Sequence, residues 1–327
     1  MEVLKIASLF SGCGGMDLGM QGGFEFLGKS YPKNNIELVF ANDFEKSACD
    51  IFNANFEHEI LCGDIKKISS RNIPDHDILM GGFPCQSFSI VAQNPPRLGY
   101  HSETGKLFFE MVRILKEKQP IAFIAENVKG ILSANKKKTF PLILDEFRKA
   151  GYNVDFRLLN ASEFGVPQKR ERVFIVGIRN DLEAVPTFPQ PTGEIVPLKS
   201  VLMKDEEVDK QYFFSKKAVD GMRKANSKMN KGRAQNINNP CSTVTSHLAK
   251  VSLNSTDPVL KIRSKFRRFT PREVARIQSF PNNFRLVGPE GKQYKALGNA
   301  IPPVLMWHVS RSVLNLLSEK QIAARVE

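Results

Sequence analysis

Ile78-Leu79-Met80-Gly81-Gly82-Phe83-Pro84-Cys85-Gln86-Ser87-Phe88-Ser89-Ile90 is the stretch around which the chain is organised. An apolar run broken by a glycine pair reads as a short buried strand. A strand ending in small residues puts the thiol that follows at the carboxyl edge of a sheet, where ligands collect in open α/β folds. Pro84 fixes its own φ and biases Phe83 towards an extended backbone, so the chain entering Cys85 is stiff. A held, exposed thiolate suits nucleophilic attack. A free Cys is more often a small buried hydrophobe, so this element decides nothing alone.

The segments around it supply the context. Leu4 to Phe10 is an apolar strand leading into Ser11-Gly12-Cys13-Gly14-Gly15-Met16-Asp17-Leu18-Gly19. Strand, glycine turn and helix start make a nucleotide-type loop, although Asp17 stands where a dinucleotide site has its third Gly. A second strand, Leu38 to Ala41, ends in Asn42-Asp43-Phe44. Asp43 is placed to bind ribose hydroxyls or to cap the following helix. A third strand, Glu59 to Cys62, ends in Gly63-Asp64-Ile65. Acids at two successive strand tips, with no Gly-Lys-Ser/Thr phosphate loop, favour an adenosine cofactor such as S-adenosylmethionine over a nucleotide triphosphate or NAD.

Ser87 to Gly105 reads as a lid rich in Pro and Gly, followed by an amphipathic helix from Leu107 to Lys118. Ile121 to Ala125 is a buried strand ending in Glu126-Asn127-Val128, which sets an acid at an apolar edge where burial raises its pKa. A hairpin-like region, Val154 to Leu159, leads to Gln168-Lys169-Arg170-Glu171-Arg172 and a strand from Val173 to Ile178. If that strand begins early, Arg170 and Arg172 share one face. Thr270-Pro271-Arg272-Glu273 starts a helix, and the apolar stripe Leu305, Val309, Val313, Leu316 and Leu317 of a final helix should dock on the first domain.

The 327 residues are 42% hydrophobic and 25% charged, as in ordinary globular proteins, and no run reaches the length of a membrane span. Five cysteines without paired spacing read as reduced thiols in a cytoplasmic protein, with no metal site. The net charge of +13 is concentrated: Lys199 to Thr270 holds 16 Lys or Arg against 6 Asp or Glu. A solvated basic face is the plain explanation, but concentration in one segment favours a phosphate backbone.

Taken in order, Phe10-x-Gly12-x-Gly14, Asn42-Asp43, Gly63-Asp64-Ile65, Pro84-Cys85-Gln86, Glu126-Asn127-Val128, Gln168 to Arg172, Arg272-Glu273 and Gly298-Asn299 closely resemble the signatures of the C5-cytosine DNA methyltransferases of restriction-modification systems. The resemblance covers nearly the whole chain. It implies an α/β class I S-adenosylmethionine-dependent methyltransferase fold: a Rossmann-like, mostly parallel sheet with one antiparallel strand. It implies a catalytic and cofactor-binding domain over 1–185, a smaller target-recognition domain over 186–268, and a C-terminal segment, 269–327, that returns to the first domain.

The same resemblance assigns roles. Phe10, Gly12 and Gly14 would lie against the methionine part of the cofactor, Asp43 at its ribose, Phe44 on its adenine and Asp64 at the adenine amino group, with Ile65, Pro84, Leu107 and Asn299 completing the site. Cys85 would be the nucleophile, Glu126 the acid at the cytosine and Arg172 a base-holding residue, with Arg170 in the same catalytic group. Gln86, Ser87, Thr243, Thr245 and Arg233 would contact DNA. Double-stranded DNA is the implied partner, with a cognate endonuclease in the same system but not in a stable complex, and the protein is expected to be a monomer. A tRNA cytosine-5 methyltransferase and a catalytically silent DNA-binding relative are the alternatives. The first lacks its distinguishing Cys-Phe-Thr segment here, and intact Cys85, Glu126 and Arg172 speak against the second.

Overall fold

The structure, a computed structural model, describes residues 3–83, 106–224, 234–248, 257–262 and 265–323. Seven strands form its central sheet: β1 (Leu4–Leu9), β2 (Ile36–Asp43), β3 (Leu61–Cys62), β4 (Ile78–Gly81), β5 (Ala122–Val128), β6 (Tyr152–Asn160) and β7 (Glu171–Arg179). Their spatial order is β3-β2-β1-β4-β5-β7-β6. All run parallel except β7, which is antiparallel to both its neighbours. The expected hairpin-like region at Val154 to Leu159 is thus one continuous strand, β6, paired with β7 along its length. β3 is shorter than expected, because only Leu61 and Cys62 reach the Asn42 and Asp43 ladder.

Burial on both faces explains why β1, β4 and β5 read as apolar runs and not as alternations. The pleat sorts their side chains two ways. Ile6, Met80, Ile124 and Phe174 join a core shared with α1 (Gly15–Gln21), α2 (Lys46–Asn53) and the C-terminal helix, whereas Ala7, Leu79, Phe123 and Ile175 face α3 (Lys106–Lys118) and α4 (Thr139–Lys149). Chain order turns back between β1 and β4. Their tips, paired at Leu9 and Gly81, form the switch point where an open sheet takes its ligands.

Beyond β7, residues 180–197 run as a strap from the C-terminal helix to the turn after β6. Thr187 bonds Ser312, and the Thr192 amide reaches the Glu163 carbonyl. The described residues that follow contain short turns, α5 (Lys216–Lys224) and a small hairpin of Leu260–Ile262 with Lys265–Arg267. Their buried residues Leu198, Val201, Cys241, Val244 and Leu260 belong to the same apolar cluster as α1 and the C-terminal helix.

Order returns at α6 (Pro271–Ile277), then α7 (Glu290–Asn299) and α8 (Pro303–Ala323). Leu305, Val309, Val313 and Leu317 of α8 are buried, and α8 packs directly on α1. α6 opens on a capping box in which Thr270 and Glu273 exchange side-chain and backbone bonds. Glu273 does more than cap. Both its oxygens pair with the buried Arg267 guanidinium, at 2.7 and 2.8 Å, and one also accepts from the Met203 amide at 2.9 Å. Removing one partner of such a pair strands a buried charge, which costs more than the intact pair contributes. Glu273→Ala should therefore lower unfolding free energy by about 3–5 kcal/mol, read from urea midpoints; an unchanged midpoint would show that Asp205, also paired with Arg267, suffices.

Candidate active site

β5 extends past the residues paired with β4, because Gly81 faces Ala125 and β5 continues to Val128. Glu126 therefore stands at the rim of the sheet, flanked on its other side by Phe174 of β7. Its Oε1 accepts from Arg172 Nε at 2.7 Å, and both side chains are nearly buried. Burial pushes the Glu126 carboxyl above the usual carboxylate range, opposed by the charges of Arg172 and Arg170. The pair holds a proton more readily than a free glutamate while a cation orients it. Glu126 also lies against Gly82, where an added Cβ would sit 3.2 Å from its Oε2. The buried Asn127 side chain donates to the Phe83 carbonyl at 2.9 Å. Glu126 and Asn127 thus flank the chain entering Pro84-Cys85. Pro84, Cys85, Gln86 and Ser87 themselves lie outside the described residues.

Next to Arg172 a cavity of about 390 Å³ opens between Val128, Lys129, Asn160, Lys169 and Thr243. Lys129 reaches both oxygens of Glu171 across its mouth at 2.9 Å. Three cations, Lys129, Lys169 and Arg172, line the cavity with one acid, Glu171. Lys129 and Asn127 escaped the sequence reading as residues with a task, although both stand in the Glu126-Asn127-Val128-Lys129 run.

Arg170 is used differently from Arg172. β7 begins at Glu171, so Arg170 precedes the strand and does not share the face of Arg172 by strand alternation. Its guanidinium is 1% exposed and donates to the carbonyls of Val244, at 3.0 Å, and Gly298, at 2.9 Å. Gln168 accepts from the Val244 amide at 2.9 Å and donates to Gln278, which in turn donates to the Leu297 carbonyl. Four remote segments meet in this buried network. Gly298 is required there, since a Cβ would fall 2.3 Å from the Thr245 carbonyl. Thr243 bonds the Lys169 carbonyl at 2.7 Å and lines the cavity beside Arg172, whereas Thr245 bonds Asp257 at 2.6 Å. Arg233 lies outside the described residues.

On the other side of the switch point the glycine loop follows Phe10, which takes a left-handed φ of 56°. For an aromatic residue that conformation costs of order 1–3 kcal/mol and persists only where surroundings impose it. Ser11 N–H bonds the Asn42 carbonyl, and Gly12 N–H bonds Asp43 Oδ2 at 2.8 Å. Gly14, at φ 89°, turns the chain into α1 against the Phe56 ring, which a Cβ would meet at 2.2 Å. Asp43 does not cap α2: the N-cap is Glu45, whose amide bonds Asp43 Oδ1 at 2.8 Å. Each Asp43 oxygen thus accepts one backbone N–H and keeps a lone pair. Phe44, 78% exposed, offers a free ring face beside it.

Asp64 caps a short turn at Ile65–Lys67 through the Lys66 amide, and Ile65 is buried behind it. Leu107 packs on the α3 side of the core, and Asn299 ends α7 in an exposed position. Glu45 ties this edge to α7 by ion pairs with Lys295 and Lys292, the first holding its carboxyl down to about 2. Two acceptor carboxylates, an open aromatic face and a glycine turn fit the hydroxyls, amino group and ring of an adenosine.

A family profile for the C-5 cytosine-specific DNA methylases matches residues 4–315. The chain is 36% identical to Type II methyltransferase M1.ScrFI of Lactococcus lactis subsp. cremoris, over 97% of this chain and 79% of that one. It is also 36% identical to Type II methyltransferase M.HaeII of Haemophilus aegyptius, over 97% and 95%. Among solved structures, a mutant of Spodoptera frugiperda DNMT2 superposes with a TM-score of 0.75 at 22% identity, over 95% of this chain and 99% of that one. Entamoeba histolytica methyltransferase EhMeth gives 0.76 at 17%, over 97% and 99%. At those identities the likeness is one of fold. Among the described residues no helix is long and apolar enough to cross a membrane.

Asp17, buried in the first turn of α1 under the glycine loop, carries a pH signature. Burial pushes its carboxyl from 3.8 up to about 7, against the Ser8 hydroxyl nearby, which pulls it down. Between those values the unfolded chain ionises while the folded one stays protonated, so stability falls as pH rises, by about 1.4 kcal/mol per pH unit. Asp17→Asn should flatten that fall. Denaturation midpoints at pH 4 and pH 7 check it, and an equally steep loss in the variant would refute the assignment.

Proposed function

We propose, from the premise that this chain belongs to the C-5 cytosine-specific DNA methylase family and is a DNA (cytosine-5-)-methyltransferase, that it flips a target cytosine out of a specific duplex sequence and methylates C5 through a covalent adduct on Cys85. The observation that carries the reading is the buried Glu126–Arg172 pair at 2.7 Å, set on the rim beside the chain that enters Cys85. Cytosine C5 is a weak nucleophile, so electrons must be pushed into the ring. A Cys85 thiolate does so by forming a bond to C6 while the C5–C6 π electrons move towards C5 and the ring nitrogens. Protonated Glu126 gives its proton, or a short hydrogen bond, to N3 as charge builds there, and Arg172 keeps that carboxyl in place.

S-adenosylmethionine, held by Phe10, Gly12, Gly14, Asp43, Phe44, Asp64, Ile65, Pro84, Leu107 and Asn299, supplies an electrophilic sulfonium methyl. With the methyl on C5, loss of the C5 proton to a base restores the C5–C6 double bond, the C6–S bond breaks to release the Cys85 thiolate, and N3 returns its proton to Glu126. None of these ring atoms is reachable in stacked duplex, so the base must leave the helix for the cavity beside Arg172. The basic segment 186–268 acts as the target-recognition domain between a catalytic domain over 1–185 and the returning segment 269–327. Gln86, Ser87, Thr243, Thr245 and Arg233 touch DNA, and Arg170 fixes the threonine element from below. The protein works as a monomer in the cytoplasm, beside a separate endonuclease of the same specificity, as the Type II names of its relatives suggest.

Labelled S-adenosylmethionine should mark C5 in duplex DNA, and Cys85→Ala should abolish turnover while DNA binding survives. Label on tRNA alone would move the substrate to RNA, and normal turnover by the variant would sink the nucleophile. Glu126→Gln should lower turnover by roughly 10²–10⁴-fold. Because the Glu126 carboxyl is raised and acts protonated, wild-type rate should fall on the alkaline side as it ionises. A pH–rate profile of Glu126→Gln should lack that limb; an identical profile would assign the limb elsewhere.

A further inference from the structure

Asn42 stands one residue before Asp43 in β2 and is 1% exposed. Its side-chain amide donates twice, to the Leu61 carbonyl at 2.8 Å and to the Gly63 carbonyl at 3.0 Å. Its own carbonyl accepts from the Ser11 amide at 3.1 Å. One residue thus grips the loop after β1 with its backbone and the loop after β3 with its side chain. The second grip matters because β3 is a two-residue edge strand whose side chains face water, Leu61 being 47% exposed. Little apolar burial holds it. The Asn42 amide thus adds to the Asn42–Leu61 and Asp43–Cys62 ladder, the Gly63 amide bond to the Asp43 carbonyl at 2.9 Å and the buried Ile65 in holding the turn that carries Asp64.

We infer that Asn42 is a positioning residue for the cofactor: its amide sets the spacing between the Asp43 and Asp64 carboxylates and so governs affinity for the adenosine half of S-adenosylmethionine, on the reading that those carboxylates hold adenosine. The chemistry selects an amide. One nitrogen carries two diverging N–H donors, matched here to two carbonyls of the same short segment. An aspartate has the same shape but no donor when ionised, and would face two carbonyl oxygens. A serine is shorter and can serve at most one. Gly63, lacking a side chain of its own, leaves its carbonyl free to swing once the amide is gone.

The test compares Asn42→Asp and Asn42→Ser with wild type in the full-length enzyme. It measures KM for S-adenosylmethionine, kcat at saturating cofactor, duplex DNA affinity, calorimetric Kd for S-adenosylhomocysteine, and inhibition by 5′-methylthioadenosine, which carries the adenosine half alone. Losing two hydrogen bonds should raise KM and both inhibitor constants by roughly ten- to a hundred-fold in Asn42→Asp, and less in Asn42→Ser. Saturated kcat and DNA affinity should stay within about twofold, since neither depends on the adenosine contacts. Loss of a merely structural residue would weaken cofactor binding, saturated kcat and DNA affinity together, and that result, or unchanged cofactor constants, overturns the inference. Asp43→Ala and Asp64→Ala run alongside separate the two levels. If they weaken S-adenosylhomocysteine binding and the Asn42 variants do not, the positioning role fails and the adenosine reading stands. If none of the four variants weakens it, the adenosine reading itself falls.

Discussion

The buried network of Gln168, Arg170 and Gln278 is the constraint on which the rest of the site depends. Its partners outside the network are main-chain groups of Val244, Leu297 and Gly298, so it joins the start of β7, the basic segment, α6 and α7. In a low-dielectric interior each such bond is strong, and each one left unmade is costly, which makes the arrangement close to all-or-none. Apolar contact alone would let these segments slide. The network gives them one register, and it does so within reach of Glu126 and Arg172.

The electrostatics of the rim follow from that arrangement. Glu126 is buried, which favours its protonated form, and faces two guanidiniums, which favour the ionised form. Burial is the larger effect. Arg170, itself deeply buried and near Arg172, has its own charge disfavoured by desolvation and by that neighbour, and its Nη1 and Nη2 donate to carbonyls and not to the carboxylate. Only Arg172 touches Glu126. The division of labour between two arginines two residues apart arises because one precedes the strand and the other lies within it.

Much of this was legible in the amino-acid order. Strands such as β1, β4 and β5 announce themselves because burial on both faces demands apolar runs, and the acids and glycines at their ends break those runs visibly. The helix start at Thr270-Pro271 was equally plain, being local. Other features were not. Asp43 was open to a capping role because an acid before a helix looks the same whether it bonds the helix or the Gly12 amide 31 residues earlier. Arg170 bonds carbonyls 74 and 128 residues away, and a bond to a carbonyl leaves no mark on the partner's side chain. β3 reads longer than it is because the Ile60 amide is taken by the Asn53 side chain at 2.9 Å and only Leu61 and Cys62 pair with β2. The separation of 186–268 as a domain rests on composition, whereas the apolar residues it buries are shared with α1 and α8.

The reversal of β7 has a consequence for how the chain could be recombined. Because it runs against its neighbours, it starts at the rim that holds Glu126 and ends at the opposite edge, so the chain must climb back to reach that rim again. The strap over 180–197 is that return path, fastened at Ser312 and at Glu163 on the way. A segment exchanged between relatives after the strap would therefore be mounted on a climbing tether, not plugged into the rim. Crossovers cut below the strap would carry its fastenings into foreign surroundings, while crossovers cut above it, near Leu198 and Phe269, would leave the host's tether intact.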